Sequence, residues 1–182
     1  MGVNKLLLKL GGITVLDRVL SSLEFSRVAE VFVVLGHKPK DLRPIVDAHA
    51  AEAVINPDYE EGMTTSFKAG LSSVSVDAVF LCLGDQAVLD PFLMDEMIDA
   101  MEADPEALLV SPVHEGMRGH PVLFRKALFP EIMCLGRGKT LKDVVDGHKA
   151  HNLEVEGDVW CTLDIDTPED YEKIKERLGA GP

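Results

Sequence analysis

Residues 78–86 read Ala78-Val79-Phe80-Leu81-Cys82-Leu83-Gly84-Asp85-Gln86, an apolar run closed by a glycine, a carboxylate and an amide. A short unbroken apolar run suits a strand buried on both faces, the habit of parallel sheets covered by helices. Gly84 lets the backbone turn tightly or approach a ligand closely. Asp85 then projects at the carboxyl end of the strand, where open α/β sheets bind their ligands.

The same alternation continues on either side. Glu30–Leu35, Ala53–Ile55, Leu108–Pro112 and Val159–Ile165 are predicted strands, and His120–Phe124 is a candidate extra one. Between them lie helical periods: Thr14–Leu23, Thr64–Val74, Pro91–Met101, Leu141–His148 and Thr167–Leu178. Thr14–Leu23 repeats its apolar residues at Val15, Leu16, Val19, Leu20 and Leu23. Asp90-Pro91 and Thr167-Pro168 pair a capping residue with proline at the first helical position. This pattern predicts an α/β fold, a parallel sheet with helices on both faces. No linker interrupts it, so residues 1–182 are read as one domain.

Composition excludes several classes of function. The net charge of −13 repels phosphate backbones, so nucleic acid is not expected as a partner. No apolar run approaches the roughly 20 residues of a membrane helix. Lys5 and Lys9 break the only N-terminal apolar stretch, so neither a membrane nor a signal peptide is expected. Cys82, Cys134 and Cys161 show no metal-ligand spacing and suggest a reducing, cytoplasmic setting.

Candidate chemistry collects after the strands. Asp85 suits one carboxylate of a Mg²⁺ site, since Mg²⁺ takes one or two carboxylates plus phosphates and waters; the alternative is a cap before Pro91. Gln86 is either a base or sugar contact or a loop residue. Asp164 and Asp166, on a strand, would share one face. One would complete the metal site and the other brace the loop or cap the helix at Pro168; the alternative is that both only cap that helix. Residues 56–66 end at a helix start, where backbone N–H groups favour an anion, and Thr64, Thr65 and Ser66 add hydroxyls. A plain N-cap is the alternative. Lys5, Arg118 and Lys139 are candidate cationic partners, or surface charges. Glu115–Pro121 suggests a shaped loop presenting Arg118 and His120, with His120 a substrate contact or a structural residue. No nucleophile elbow or complete Walker loop is present.

Taken together, these segments resemble one family. Met1-Gly2-Val3-Asn4-Lys5 with Gly11-Gly12 looks like the tail of the MobA-like NTP transferase signature. "VVLGH" (33–37), "NPDYEEGMTTSFKAGL" (56–71), "LGDQ" (83–86), "GHPVLF" (119–124) and "LDIDTPEDY" (163–171) follow in family order. The last three look most like the molybdenum cofactor cytidylyltransferase branch.

The resemblance implies a three-layer, mostly parallel Rossmann-like sheet of the nucleotide-diphospho-sugar transferase type. It implies Mg²⁺-dependent transfer of CMP from CTP to molybdopterin, with release of pyrophosphate. GTP as donor, a sugar phosphate as acceptor, and a catalytically silent cofactor-binding protein are its alternatives. A molybdoenzyme or a cofactor chaperone is the implied protein partner. Asp85 matches the metal-binding aspartate, with Asp164 as second metal-site carboxylate and Asp166 behind it. Lys5 matches the family's phosphate lysine and, with Asp85, the catalytic pair. Gly62, Ser66, Gly84 and Gln86 fall on the nucleotide side, and Arg118 and His120 in the loop facing the second substrate.

Two departures stand out. The chain opens at the Met-Gly of the signature, so the first strand, its Gly-rich turn and the signature Arg are missing. That leads us to expect two exposed strand edges at the centre of the sheet, and either a start that lies upstream, the favoured reading, or lost ordinary NTP binding. Ala87 also stands where the family usually has Pro after "LGDQ", which should only loosen a turn.

Overall fold

Thr14 shows how closely local chemistry sets the elements. A computed structural model describes residues 4–179, so Met1-Gly2-Val3 of the signature-like opening lie outside the described residues. Asn4 accepts a bond from the Leu6 amide and starts a 3₁₀ turn, Lys5–Leu7. A small hairpin of β1 (Lys9–Leu10) and β2 (Ile13–Thr14) leads into α1 (Val15–Glu24). Thr14 and Asp17 form a reciprocal capping box there, and the five predicted apolar positions are its buried stripe.

The chain then alternates: β3 (Phe32–Leu35), α2 (Pro39–Val46), β4 (Glu52–Ile55), α3 (Met63–Leu71), β5 (Ala78–Leu81) and α4 (Pro91–Ala103). It continues with β6 (Leu109–His114), β7 (Met117–Arg118), β8 (Val122–Arg125), α5 (Phe129–Met133), α6 (Leu141–Gly147), β9 (Asn152–Glu156) and α7 (Pro168–Gly179). The fold is α/β and Rossmann-like, with a mixed sheet. β3 and β4 pair in parallel. β5, β6 and β9 share one direction, and β8 lies reversed between β5 and β6. The reversal is forced, because a parallel return needs a crossover of a dozen or more residues and the path from His114 to Val122 is too short for one.

Among the described residues, no strand ladder joins β3 to β5. Among these residues β3 pairs only with β4, and β5 only with β8. Leu6 and Leu7 of the N-terminal turn pack into the same apolar cluster as Val33 and Leu35 of the β3 side and Phe80 and Cys82 of the β5 side.

Three sequence expectations need correcting. Val159–Ile165 is not a strand: the Asp158 carboxylate accepts from the Trp160 amide and winds Val159–Thr162 into a 3₁₀ turn. Asp164 and Asp166 therefore belong to a loop rather than to one strand face. The final strand is β9 instead, with Leu153 and Val155 turned to the core while Glu154 and Glu156 stay exposed. Helix α2 was not anticipated, because Pro44 lies inside it and only Leu42 and Val46 are buried.

Candidate active site

The 3₁₀ turn at the N-terminus delivers Lys5 to the end of β5. Its ammonium pairs with the Asp85 carboxylate and donates to Asp166 Oδ1 at 2.9 Å. Asp85 is the inner partner, with a side chain 17% exposed against 68% for Asp166. Burial alone would lower the Lys5 pKa, but hydrogen bonds and charge from Asp85 and Asp166 outweigh it and hold the lysine above its usual value. Asp164 is pushed upward, first by burial and then by the charges of Asp166 and Asp85. The Ile165 amide donates to the Asp85 carbonyl at 3.2 Å, fixing the two acidic loops against each other.

Hard carboxylate oxygens are the donors that Mg²⁺ takes. Repulsion among Asp85, Asp164 and Asp166 is a second sign that a cation fits, and Lys5 supplies one positive charge there. Among the described residues, no three His, Cys, Asp or Glu side chains converge as a ready-made metal cage. A metal ion here would therefore draw part of its shell from a substrate's phosphates and from water.

Behind the carboxylates stands Gln86. It is 2% exposed, and its Nε2 donates to the carbonyls of His120 (2.8 Å) and Trp160 (3.1 Å). Its Nε2 thus braces two loops, while its Oε1 is buried without a partner among the described residues. The His120 amide donates to the Cys161 carbonyl at 2.8 Å. Its ring is held below the usual histidine range by burial, against the opposing effects of the Leu81 carbonyl and the Asp164 and Asp85 charges. Gly119 permits this close approach, since a Cβ there would sit 2.1 Å from the Cys161 carbonyl oxygen.

Arg118 is not brought to this cluster. It lies on β7, and its Nε and Nη2 both meet Glu154 Oε1 at 2.9 Å on β9. Lys139 pairs with Asp143, at the start of α6. Gly62 takes φ 108°, a glycine conformation, at the entry to α3. Ser66, one turn into that helix, receives a 3.0 Å bond from Asn56 Nδ2, which also donates to Thr65 Oγ1 at 3.0 Å. Asn56 is 3% exposed, and its role as organiser of this loop was missed. Its only signal in the sequence was its place directly after a strand.

The MobA-like NTP transferase domain family matches residues 1–153. The chain is 28% identical over 179 residues to the molybdenum cofactor cytidylyltransferase of Escherichia coli K12, covering 97% of this chain and 90% of that protein. It is also similar to the crystal structure of Rv0371c from Mycobacterium tuberculosis H37Rv, at 26% identity and a TM-score of 0.83, covering 97% of this chain and 90% of that one. A manganese complex of Rv0371c matches at 25% identity and a TM-score of 0.79, covering 94% and 91%.

Proposed function

Because this chain belongs to the MobA-like NTP transferase family, we propose that its cleft transfers CMP from CTP to molybdopterin in a Mg²⁺-dependent reaction. The observation that carries the reading is the placement of Lys5 between Asp85 and Asp166, with Asp164 beside them. The cytidylyltransferase relative favours CTP as donor, and the manganese complex of Rv0371c favours a divalent ion.

In the proposed step, a terminal phosphate oxygen of the acceptor attacks the α-phosphorus of CTP. The bond from that phosphorus to the bridging oxygen breaks, and pyrophosphate carries the electron pair away. Such a transfer asks the protein for position and charge rather than covalent chemistry. Mg²⁺, when bound, would neutralise charge on the phosphates. Asp85 and Asp164 would hold it, Lys5 would meet the triphosphate, and Asp166 would keep Lys5 extended until substrate arrives. Gly62 would shape the entry to α3, and the amides of Met63 and Thr64 at its first turn would face the nucleotide. The three cysteines are free thiols, which suits a cytoplasmic reaction.

The test is pyrophosphate release from CTP or GTP in the presence of molybdopterin and Mg²⁺. Release with CTP, abolished by Asp85→Ala, supports the reading. Equal release with a sugar phosphate in place of molybdopterin would move the acceptor to a different class.

A further inference from the structure

Helix α1 carries a second stripe. Arg18, Ser21, Ser22 and Phe25 recur at the spacing of one helix face, opposite the buried stripe. All four line a groove of about 470 Å³, together with Phe92 at the start of α4. Phe25 is 82% exposed and Phe92 79%, the two most exposed large apolar side chains among the described residues, and Ile13 beside them is 44% exposed. Folded proteins rarely leave so contiguous an apolar patch without a partner. No carboxylate lines the groove, although the chain holds 31 Asp and Glu.

We infer that this groove joins two copies of the chain about a two-fold axis, with their α1 helices antiparallel. A two-fold contact meets itself, so one patch must hold both the projection and the hollow. Phe25 and Phe92 supply the projections, and the short side chains of Ser21 and Ser22 leave the hollow. Positions 18 and 25 lie symmetrically about 21 and 22, so antiparallel pairing sets each Phe25 against the partner's Arg18. A guanidinium over an aromatic face is favourable. Arg18 is held ready for it, since Nε donates to the Ala87 carbonyl at 3.3 Å and Nη1 to the Leu10 carbonyl at 3.5 Å. The two Arg18 positions then stand roughly 10 Å apart along the helix axis, which limits their repulsion.

Charge selects the same partner. Two copies of a chain of net charge −13 repel each other, and a face with one cation and no carboxylate is where they can touch. The two phenylalanines alone offer on the order of 300 Å² per copy. That is more than a third of the roughly 800 Å² a stable interface takes from each partner. Lys5, Asp85, Asp164 and Asp166 do not line the groove, so each copy keeps its own cleft.

Sedimentation velocity of the whole protein, over about a hundredfold range of concentration, tests the inference. We expect the parent to move from monomer towards dimer as concentration rises. In Phe25→Asp/Phe92→Asp the dissociation constant should rise at least about tenfold. Far-UV circular dichroism and Tm should not change, because neither ring is packed in the core. Independently of that variant, Ser22→Cys should form an intermolecular disulfide under mild oxidation, in a Cys134→Ser background that removes the exposed native thiol. A parent that stays monomeric throughout overturns the inference and leaves the groove to a different protein or a lipid surface. A dimer whose constant is unmoved in the double variant places the contact elsewhere and overturns it as well. A dimeric Ser22→Cys protein that does not cross-link overturns the antiparallel arrangement.

Discussion

Lys5 Nζ donates to Asp166 Oδ1 at 2.9 Å, joining residues 161 positions apart and drawing both ends of the chain onto the tip of β5. The same ammonium pairs with Asp85, so one cation organises two acidic loops before any substrate is present. Replacing it with Met keeps the stem and removes the charge. Loss of one preorganised donor at a developing charge costs about 10²–10³ in rate. We expect Lys5→Met to lower kcat/KM by that factor in steady-state pyrophosphate release. A change below threefold would take Lys5 out of the mechanism.

Gln86 makes a different demand, because it is buried and bonded to the carbonyls of His120 and Trp160. Gln86→Leu leaves the His120 carbonyl without this donor and the Trp160 carbonyl with only the Leu163 amide, at 3.3 Å. Each buried group left unpaired costs about 1–3 kcal/mol. Urea unfolding should show a lower midpoint, with stability reduced by at least about 1 kcal/mol. A Gln86 that merely touched nucleotide would leave the midpoint unmoved and change only CTP affinity.

Asp164 links the site to pH. Its pKa in the fold is raised by burial and by Asp166 and Asp85, so the fold favours its protonated form. The stability it contributes is complete below the unfolded value of about 3.9 and is lost as pH rises through the higher folded value. Asp164→Asn keeps the neutral form throughout. Thermal unfolding should show the variant more stable than the parent at pH 7 and no different at pH 3. The same variant should bind Mg²⁺ and CTP together more weakly at pH 7. Lower stability at pH 7 would contradict the proposed crowding of carboxylates.

The sequence made the outline of this site legible because its parts are local. Asp85 follows an apolar run and a glycine, and Asp90-Pro91 announces α4, so both could be placed from neighbours alone. The capping box at Thr14 and the stripe of α1 were readable for the same reason. What could not be read depended on distant partners. The bonds of Gln86 go to residues 34 and 74 positions away, and nothing around it announces them. Arg118 looked free to meet substrate because Glu154, its partner, lies 36 residues on. Val159–Ile165 mimicked a strand in composition, yet a single Asp158 cap was enough to wind its first half. Asn152–Glu156 was passed over although its alternation is that of a half-buried strand.

Calorimetric titration of CTP with Mg²⁺ into the parent protein and into Asp85→Ala tests the central claim most directly. The account predicts saturable, Mg²⁺-dependent binding to the parent, weaker binding of GTP, and loss of the metal-dependent part in a variant that remains folded. Equal CTP binding by parent and Asp85→Ala, or CTP binding by the parent that ignores Mg²⁺, would contradict it.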